Sequence, residues 1–426
     1  MHIYGSNNGE TGVLMNHKTI EYIRQCEREI GGALEQVDAV ALANQERVLE
    51  AFWQHRISQT DLLGSTGYGL SDVGRDKFEA AFADVFGAQG ALVRPQIVSG
   101  THALTLGMFG VLRPGDEVLF ATGSPYDTLH GVVGLRSEKG SLAEWGIGAK
   151  IVDLSADGEI DVEAILCHLS EHTKLLMFQR SRGYGDRKAL SIEALETAFS
   201  EIKAKSPHVL IGVDNCYGEF VEAQEPSHVG ADLVMGSLIK NPGAGIAPTG
   251  GYIVGSSEVV EQVAARLVAP GTGAEYGPTG PYLQLFYQAL FLAPHVVAQA
   301  VKASILFAQA LQGLGYRVSP GPTEPRSDLI LSVELGSPDK LLAFCRAVQR
   351  AAPIDAHVRP EADAMAGYAD AVVMAAGTFI QGASLELSAD APMRSPYTAY
   401  VQGGLTYEHA VIALGKILEQ LAPELA

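Results

Sequence analysis

Between residues 90 and 255 the sequence alternates short runs rich in β-branched and aromatic residues with stretches of helical periodicity. The predicted strands are Ala91–Val98, Glu117–Ala121, Lys150–Leu154, Lys174–Phe178, Val209–Val213, Leu233–Met235 and Tyr252–Val254. Because helical stretches separate most of these runs, the pattern indicates an α/β fold with a mainly parallel sheet covered on both faces. Ligands of such sheets bind at the carboxyl ends of the strands. Polar residues that directly follow a predicted strand are therefore candidates for a site.

Two of these strands lead into residues with acid–base chemistry. His208–Val213 precedes Asp214, and Ala231–Met235 precedes a small polar turn that ends at Lys240. Burial lowers the pKa of an amine and makes it a usable nucleophile or base, as in Schiff-base lysines. An aspartate and a lysine at successive strand ends suit pyridoxal phosphate, because the lysine binds the cofactor and the acid keeps the pyridine nitrogen protonated. A buried ion pair between the two strand ends is the alternative interpretation.

A polar turn after the first strand is a candidate phosphate site. Ser99–His102, which includes Gly100 and Thr101, opens a helix, where free backbone N–H groups and the helix dipole favour an anion. Ordinary Ser/Thr capping of the helix, without a ligand, is the alternative. Ser237, which lies three residues before the candidate lysine, would add a hydroxyl donor to the same phosphate.

Two more turns after predicted strands contain candidate ligand-binding side chains. Tyr126 follows Glu117–Ala121, and its ring is suited to stack on a flat cofactor while its phenol acts as an acid or base. A tyrosine that packs the turn is the alternative. Arg180 and Arg182 follow Lys174–Phe178 and suit an anion or a carboxylate, although solvated side chains or structural ion pairs explain them equally well.

Composition and charge narrow the class of protein. A net charge of −19 over 426 residues argues against a general nucleic-acid or anionic-membrane binder, because phosphates would be repelled. The four cysteines are scattered without metal-ligand spacing, which predicts a reduced, cytoplasmic compartment. Residues 1–6 show no signal-peptide pattern. The apolar stretch from 282 to 314 is interrupted by Pro294, His295 and Lys302, which predicts core helices rather than a membrane span.

The predicted organisation is a helical arm (residues 1–60), a large domain with a seven-stranded sheet (61–285) and a smaller C-terminal α+β domain (286–426). The predicted elements of the last part are the strands Asp328–Val333, Ala371–Ala375 and Ala383–Leu387 and the helices Lys340–Ala352 and Glu408–Leu421. Glu361–Gly367 is predicted to be an irregular loop. Gly271–Gly280 is predicted to be a flexible loop that covers the site or crosses to a partner.

The order of phosphate turn, tyrosine, acid and lysine resembles the fold-type I pyridoxal-phosphate enzymes of cysteine and methionine metabolism. Within that group the chain is most similar to the aluminium-resistance or methionine γ-lyase family proteins. The closer resemblance rests on Gly67–Gly69, Gly74–Asp76, Ser99–Ala103, Leu112–Asp116, Gln179–Tyr184, Val213–Asn215, Ser237–Gly243, Gly250–Tyr252, Met374–Ser384, Glu386–Asp390 and Gln402–His409. The similarity extends from about residue 20 to the end of the chain.

The resemblance implies roles for residues that match the family's motifs. Lys240 would be the Schiff-base lysine and proton shuttle, and Asp214 would pair with the pyridinium nitrogen. The phosphate would be held within the turn Ser99–His102, chiefly by Gly100 and Thr101, together with Ser237. Tyr68 would reach the cofactor from a neighbouring subunit, which implies a homodimer or homotetramer.

The resemblance also assigns residues to the substrate. Tyr126 would stack on the cofactor ring and act as the acid for a departing thiolate. Arg394 would bind the substrate α-carboxylate, with Arg182 as a further candidate for the substrate. Two positions depart from the better-known lyases: Leu70 replaces an arginine, for which Arg75 is a possible substitute, and Ile239 replaces a threonine.

The implied activity is that of a carbon–sulfur lyase that converts a sulfur amino acid by α,β- or α,γ-elimination into a 2-oxo acid, ammonia and a thiol. A β- or γ-replacement synthase and an aminotransferase stay open, because one fold hosts several reactions. A non-catalytic stress-resistance protein of the same fold is a third interpretation, against which the full set of cofactor residues counts. The identity of the substrate side chain and any link to metal resistance stay open.

Overall fold

The computed structural model describes residues 15–364 and 370–425, so the expectation about residues 1–6 lies outside the described residues. The α-helices within the described ranges are α1 His17–Glu29, α2 Gly31–Gln54, α3 Val73–Phe86, α4 Gly100–Val111, α5 Asp127–Val133, α6 Val162–His168, α7 Ile192–Lys205, α8 Ser257–Leu267, α9 Leu283–Gly313, α10 Pro338–Ala351 and α11 Tyr407–Leu421. Most begin at a side-chain cap; Ser99 Oγ, for example, accepts a hydrogen bond from the backbone N–H of His102 at 3.1 Å.

A seven-stranded sheet forms the centre of the larger part, with the order β1-β7-β6-β5-β4-β2-β3. The strands are β1 Gly90–Arg94, β2 Glu117–Phe120, β3 Gly148–Ile151, β4 Thr173–Gln179, β5 Leu210–Asp214, β6 Leu233–Ser237 and β7 Gly251–Gly255. The strands β2 to β6 run parallel to one another, whereas β7 lies antiparallel between β6 and β1. The structure confirms the seven predicted strands and the mainly parallel sheet.

Alternate residues of the central strands enter separate hydrophobic clusters on the two faces of this sheet. On one face, Met235 and Ile253 pack with side chains of α4 and α8. On the other face, Val234 and Val254 pack with α3, α7 and α9. Burial on both faces explains why these strands are apolar throughout rather than alternating with polar residues.

A six-stranded antiparallel sheet forms the smaller part, with the order β10-β11-β12-β13-β9-β8. Its strands are β8 Arg317–Ser319, β9 Leu331–Glu334, β10 Ala362–Asp363, β11 Val372–Ala376, β12 Ser388–Pro392 and β13 Thr398–Gln402. The predicted irregular loop Glu361–Gly367 therefore includes the short strand β10, and its last three residues lie outside the described residues.

The predicted strand Ala383–Leu387 is wrong. Its apolar residues are buried, but the backbone follows an irregular path, in which the carbonyl of Leu385 accepts from the N–H of Gly404 at 2.7 Å. Pairing with β11 starts only at Ser388, opposite Ala376. The segment is apolar because it is buried, and this gave it the sequence pattern of a strand although its backbone pairs with no strand.

The long helix α9 connects the two parts of the molecule. It packs against α2 of the N-terminal arm and against β8, β9 and β13 of the second sheet. The extended helical segment Gly280–Gly313 is long and apolar enough to cross a membrane by length and composition, but 72% of its most apolar window is buried inside the protein. That burial is typical of a core helix, as the sequence predicted. The domain boundaries at residues 60 and 285 stay predictions.

Candidate active site

A cavity of about 800 Å³ lies between the carboxyl ends of the parallel strands and one face of the second sheet. Its polar lining from the first sheet and its loops comprises Ser99, Gly100, Thr101, Tyr126, Thr128, Gln179, Ser181, Gly183, Tyr184, Asp214, Cys216, Tyr217, Ser237 and Lys240. The second sheet and adjoining loops contribute Ile330, Asp355, Met374, Ala376, Thr378, Gln381, Gly382, Ala383, Ser388, Asp390 and Gln402. The structure therefore gathers most of the predicted site residues in one place.

Lys240 and Asp214 lie on the same wall because their strands are neighbours in the sheet. Asp214 ends β5, and the parallel strand β6 leads into the turn with Lys240. Asp214 Oδ1 accepts a hydrogen bond from the N–H of Cys216 at 3.1 Å. Lys240 Nζ lies 3.9 Å from the centroid of the Tyr217 ring, within the range of a cation–π contact. The predicted proximity of acid and lysine is thus present.

The protonation of this pair differs from the expectation. Burial alone would lower the pKa of Lys240, but the acidic groups around it, Cys216, Tyr217 and Asp214, outweigh burial and raise that pKa above its ordinary value. Burial raises the pKa of Asp214, against the opposing effect of the Lys240 ammonium. In the protein alone Lys240 is therefore an ammonium held by its neighbours rather than a free amine.

The turn at the start of α4 faces the cavity with small residues. A Cβ at Gly100 would lie 3.1 Å from Cys216 Sγ and 3.4 Å from Ser237 Cβ, so a larger residue would crowd the turn. Thr101 Oγ1 lies 2.9 Å from Thr128 Oγ1. Ser99 both caps the helix and lines the cavity, so capping and ligand binding are compatible here.

This donor set fits pyridoxal phosphate. The N-terminus of a twelve-residue helix and several hydroxyls offer donors to a phosphate, and no carboxylate lies in the turn itself. Asp214 and Lys240 stand on the adjoining wall for the ring nitrogen and the aldehyde. Two predicted cofactor residues do not line the cavity: Tyr68, and His102, whose Nδ1 accepts from the N–H of Val98 at 3.2 Å.

A group of tyrosines surrounds the space next to Lys240. The rings of Tyr126 and Tyr184 lie 6.4 Å apart between centroids at 57°. Tyr184 Oη donates to Asp390 Oδ2 at 2.7 Å, and Tyr400 Oη donates to the carbonyl of Tyr184 at 2.7 Å. Sequence reasoning placed Tyr126 at the site but missed Tyr184 and Tyr217, although each follows a candidate residue by two to four positions.

The structure does not bring the predicted substrate arginines into the cavity. Arg182 is buried, and its guanidinium donates to the carbonyls of Ser319 at 2.6 Å and Gly185 at 3.3 Å, so it holds loops together. The Arg394 side chain is 57% exposed, pairs with Asp370 at 3.3 Å and lines a separate cleft. Both assignments are therefore corrected.

Arg180 is also structural in this arrangement. It is fully buried and pairs with Glu222 at 2.7 Å and with Glu225 at 3.6 Å. Among the described residues that line the cavity, Lys240 is the only cationic one.

The loop around Tyr68 packs against the predicted flexible loop of residues 271–280. Tyr68 is exposed, and its ring stacks on Tyr276 at 5.3 Å between centroids. Arg75 Nη1 donates to the carbonyls of Gly69 at 2.8 Å and Gly277 at 3.2 Å. Arg75 therefore joins these loops, which replaces its expected role as a phosphate ligand. That Tyr68 reaches a neighbouring subunit stays a prediction.

The residues of the second sheet that line the cavity escaped sequence analysis. Met374, Ser388, Asp390 and Gln402 stand on one face of β11, β12 and β13, in register across the strands. The strands β12 and β13 were not predicted from the sequence, so the alternation of their side chains between the two faces could not be used to place these residues. The shared period of two in Ser388 and Asp390 is the signal that would have placed both on one face.

Comparison with known proteins agrees with this arrangement. The sequence profile of the methionine gamma-lyase family matches residues 19–422. The uncharacterized protein YnbB of Bacillus subtilis is 49% identical over 399 residues, which cover 93% of this chain and 95% of YnbB.

Two solved structures show the same fold. A Listeria monocytogenes protein, described as a candidate cystathionine beta-lyase involved in aluminum resistance, is 48% identical with a TM-score of 0.93 over 95% of this chain and 100% of that chain. The pyridoxal-5'-phosphate dependent protein YhfS of Escherichia coli is 18% identical with a TM-score of 0.62 over 90% of this chain and 96% of that chain, a likeness of fold alone. The fold is that of the fold-type I pyridoxal-phosphate enzymes, and the chain belongs to the methionine gamma-lyase family.

Proposed function

We propose that this protein is a pyridoxal-phosphate-dependent carbon–sulfur lyase that acts on a sulfur amino acid and releases a 2-oxo acid, ammonia and a thiol. The observation that carries the proposal is the position of Lys240 and Asp214 on one cavity wall, beside the N-terminus of α4, in a member of this family. The protein would work as a cytoplasmic homo-oligomer in which Tyr68 serves a neighbouring site.

The cofactor would be held from three sides. The turn with Ser99, Gly100 and Thr101 would bind the phosphate, assisted by Ser237, and Asp214 would face the ring nitrogen. When bound, pyridoxal phosphate supplies an electron sink for the bonds around the α-carbon of an amino acid.

Lys240 is the candidate for proton transfer at the substrate. We assign to Nζ the removal of the proton from the α-carbon, because no other described residue of the cavity lining carries an amine. Nζ must be a neutral amine to take this proton, and the Tyr217 ring, whose centroid lies 3.9 Å from Nζ, stabilises the ammonium that then forms. After elimination the same atom is placed to return a proton.

Tyr126 is the candidate acid for the leaving group. It caps the N-terminal end of α5 and lines the cavity on the side of Tyr184. A thiolate that departs from the β- or γ-carbon would take the phenolic proton of Tyr126.

The first test is the visible absorption spectrum of the purified protein, before and after addition of a panel of sulfur amino acids, with detection of 2-oxo acids. We expect a band of bound pyridoxal phosphate that shifts with a substrate, and release of the 2-oxo acid. Lys240→Ala should abolish both the band of the lysine-bound cofactor and turnover. The control is Lys188→Ala, because the Lys188 side chain is 77% exposed and outside the cavity lining.

The possible outcomes distinguish the lyase from the alternative enzymes. A shifting band without a 2-oxo acid would favour a replacement synthase or an aminotransferase. Absence of any band after addition of pyridoxal phosphate, or full activity of the alanine variant, would overturn the proposal.

A further inference from the structure

A second cleft, of about 650 Å³, lies beside α10 and shares no lining residue with the candidate active site. Its charged lining consists of Arg346, Arg350 and Arg359 and one acid, Asp339, and His357 adds an imidazole. Three guanidiniums and one carboxylate leave two net positive charges, in a chain whose net charge is −19. We call this site the arginine cleft. Such a local concentration of positive charge on an acidic protein attracts anions.

Two of the three arginines of the cleft have no protein partner. Arg350 and Arg359 are exposed, and no side-chain hydrogen bond or ion pair joins either of them to another described residue. Arg346 donates from Nε to the carbonyl of Pro360 at 3.3 Å, and its Nη2 lies 3.8 Å from the carboxylate of Glu361, which is 76% exposed. The guanidinium N–H groups of Arg350 and Arg359 are therefore available to a ligand.

The sequence of α10 places charged residues of like sign on one face of the helix. Positions 339, 342, 343, 346 and 350 follow the spacing of a single helical face, and the opposite face, with Phe344 and Val348, packs in the hydrophobic core. Arg346 and Arg350 are four positions apart, where two like charges destabilise a helix. A bound anion would compensate this repulsion.

The rest of the lining indicates an organic ligand rather than a bare inorganic ion. Leu342, Ala343 and Val358 give the cleft an apolar surface, and Gln420 adds a neutral amide. A volume of about 650 Å³ is within the range of sites that bind small organic molecules. A phosphate monoester has a charge of about −1.5 to −2 at pH 7, which matches the cleft, and its oxygens accept paired hydrogen bonds from a guanidinium.

We propose that the arginine cleft binds a small organic molecule that carries a phosphate group. Arg350 and Arg359 contact the phosphate, Arg346 and His357 are further donors, and the apolar side chains contact the remainder of the ligand. This site is additional to the candidate phosphate turn at the start of α4, with which it shares no residue.

One segment of the chain borders both sites. Asp355 lines the active-site cavity, whereas residues 356–359 line the arginine cleft. The carbonyl of Asp355 accepts from Gln349 Nε2 at 3.1 Å and from the N–H of Val358 at 2.9 Å. A ligand that holds Arg359 would therefore restrict the motion of this segment, and amide hydrogen exchange of residues 353–360 should become slower when the cleft is occupied.

The test uses pyrophosphate as the probe and protein saturated with pyridoxal phosphate, so that the cofactor occupies its own phosphate site. Binding is measured by isothermal titration calorimetry. The double variant Arg350→Gln/Arg359→Gln should bind pyrophosphate at least roughly 10-fold more weakly than the wild type, because two charge-assisted contacts are lost. Pyrophosphate should also slow hydrogen exchange of residues 353–360 in the wild type and not in the double variant.

The matched control is Arg136→Gln/Arg317→Gln, which removes the same charge from two side chains that are 54% and 80% exposed and lie outside the cleft. It should keep the wild-type affinity. A wild type that does not bind pyrophosphate, equal weakening in both double variants, or an unchanged affinity in Arg350→Gln/Arg359→Gln would overturn the proposal. Tighter binding of citrate than of pyrophosphate would overturn the choice of phosphate over carboxylate.

Asp339→Asn provides an independent variant should the double variant fail to fold. It removes the acid of the cleft and should bind pyrophosphate at least roughly two-fold more tightly, because one repulsive charge is lost. An affinity equal to that of the wild type would contradict binding in the cleft. None of these measurements requires turnover, so the arginine cleft and the lyase function can fail independently of each other.

Discussion

Three carboxyl groups, those of Asp214, Asp390 and Glu219, are buried at or beside the candidate active site. Asp214 and Lys240 lie on the same wall of the cavity, and Asp390 lines it from β12 of the second sheet. A third acid, Glu219, lies behind this wall and is fully buried. Its Oε1 accepts from Tyr252 Oη at 2.8 Å, whereas its Oε2 has no hydrogen-bond partner among the described residues. That environment suits a neutral carboxyl group.

Glu219 should make stability depend on pH. Burial raises its pKa from 4.5 to about 8, so between these pH values the folded state keeps a proton that the unfolded state has lost. The stabilising effect of the neutral group is complete below about pH 4.5 and is lost as the pH rises through 8. In Glu219→Gln the free energy of unfolding should fall less steeply with pH, by up to about 1.4 kcal/mol per pH unit.

The measurement is denaturant unfolding of the wild type and Glu219→Gln at several pH values between 5 and 8 (roughly the titration window). Glu201→Gln, an exposed change on α7, is the control and should follow the wild type. Parallel curves for the wild type and Glu219→Gln would show that Glu219 is ionised throughout.

At the scale of elements, the strands that could be predicted are those whose pattern is decided locally. The apolar runs of the central strands are buried on both faces of the first sheet, so hydrophobicity alone revealed them, whereas the edge strand β3 is mostly exposed. β12 and β13 contain Asp390 and Gln402 because they border a cavity, and such polar positions break the expected pattern. The segment Ala383–Leu387 shows the opposite error, since it is apolar but has no ladder partner.

The site residues that could be predicted are likewise those whose position is decided by the local sequence. Lys240 and Asp214 were predictable because each directly follows a recognisable strand. Arg182 and Arg394 could not be assigned from their position in the chain. Their partners, such as Ser319 and Asp370, are brought near by tertiary packing.

The buried Arg75 is one of the contacts that join the loop around Tyr68 to the loop of residues 271–280. Arg75 donates to the carbonyls of Gly69, Glu275 and Gly277 at 2.8 to 3.2 Å, and Tyr68 stacks on Tyr276. Arg75→Met should release the loop of residues 271–280, because three carbonyls lose their donor. We expect faster cleavage by chymotrypsin after Tyr276 and a loss of roughly 2–4 kcal/mol in the free energy of unfolding.

Arg113→Met is the matched control, because the partners of the Arg113 guanidinium among the described residues are the carbonyls of Gly110 and Leu112, at the C-terminal end of α4. It should leave the cleavage after Tyr276 unchanged. An unchanged rate of cleavage in Arg75→Met would mean that other contacts hold the two loops together.

At the scale of the whole molecule, contacts between the two sheets complete the cavity. The loop after β4 contains Ser181 and Tyr184, which line the cavity, and it is fixed by residues of the second part of the chain. Tyr400 Oη donates to the carbonyl of Tyr184, and Asp328 accepts two hydrogen bonds from the loop. The shape of the site therefore depends on how the two parts pack against each other.

Asp328 provides the sharpest test of this dependence. Its Oδ2 accepts from Ser181 Oγ at 2.9 Å and from the N–H of Arg182 at 3.0 Å, while Oδ1 accepts from the N–H of Ile330 at 3.0 Å. Asp328→Asn removes one acceptor and a buried charge, which should cost roughly 2–4 kcal/mol in the free energy of unfolding. Because the Ser181–Tyr184 loop then moves more freely, the KM for the substrate should rise more than kcat falls.

The measurement pairs denaturant unfolding with steady-state kinetics on the substrate identified by the release of a 2-oxo acid. Asp157→Asn, an exposed change in the turn before α6, is the control and should alter neither quantity. A variant Asp328→Asn with lowered stability but an unchanged KM would show that the first sheet holds its loop without the second. In that case the cavity would be shaped mainly by the first sheet, and the contribution of β12 would be restricted to the side chains that touch the substrate.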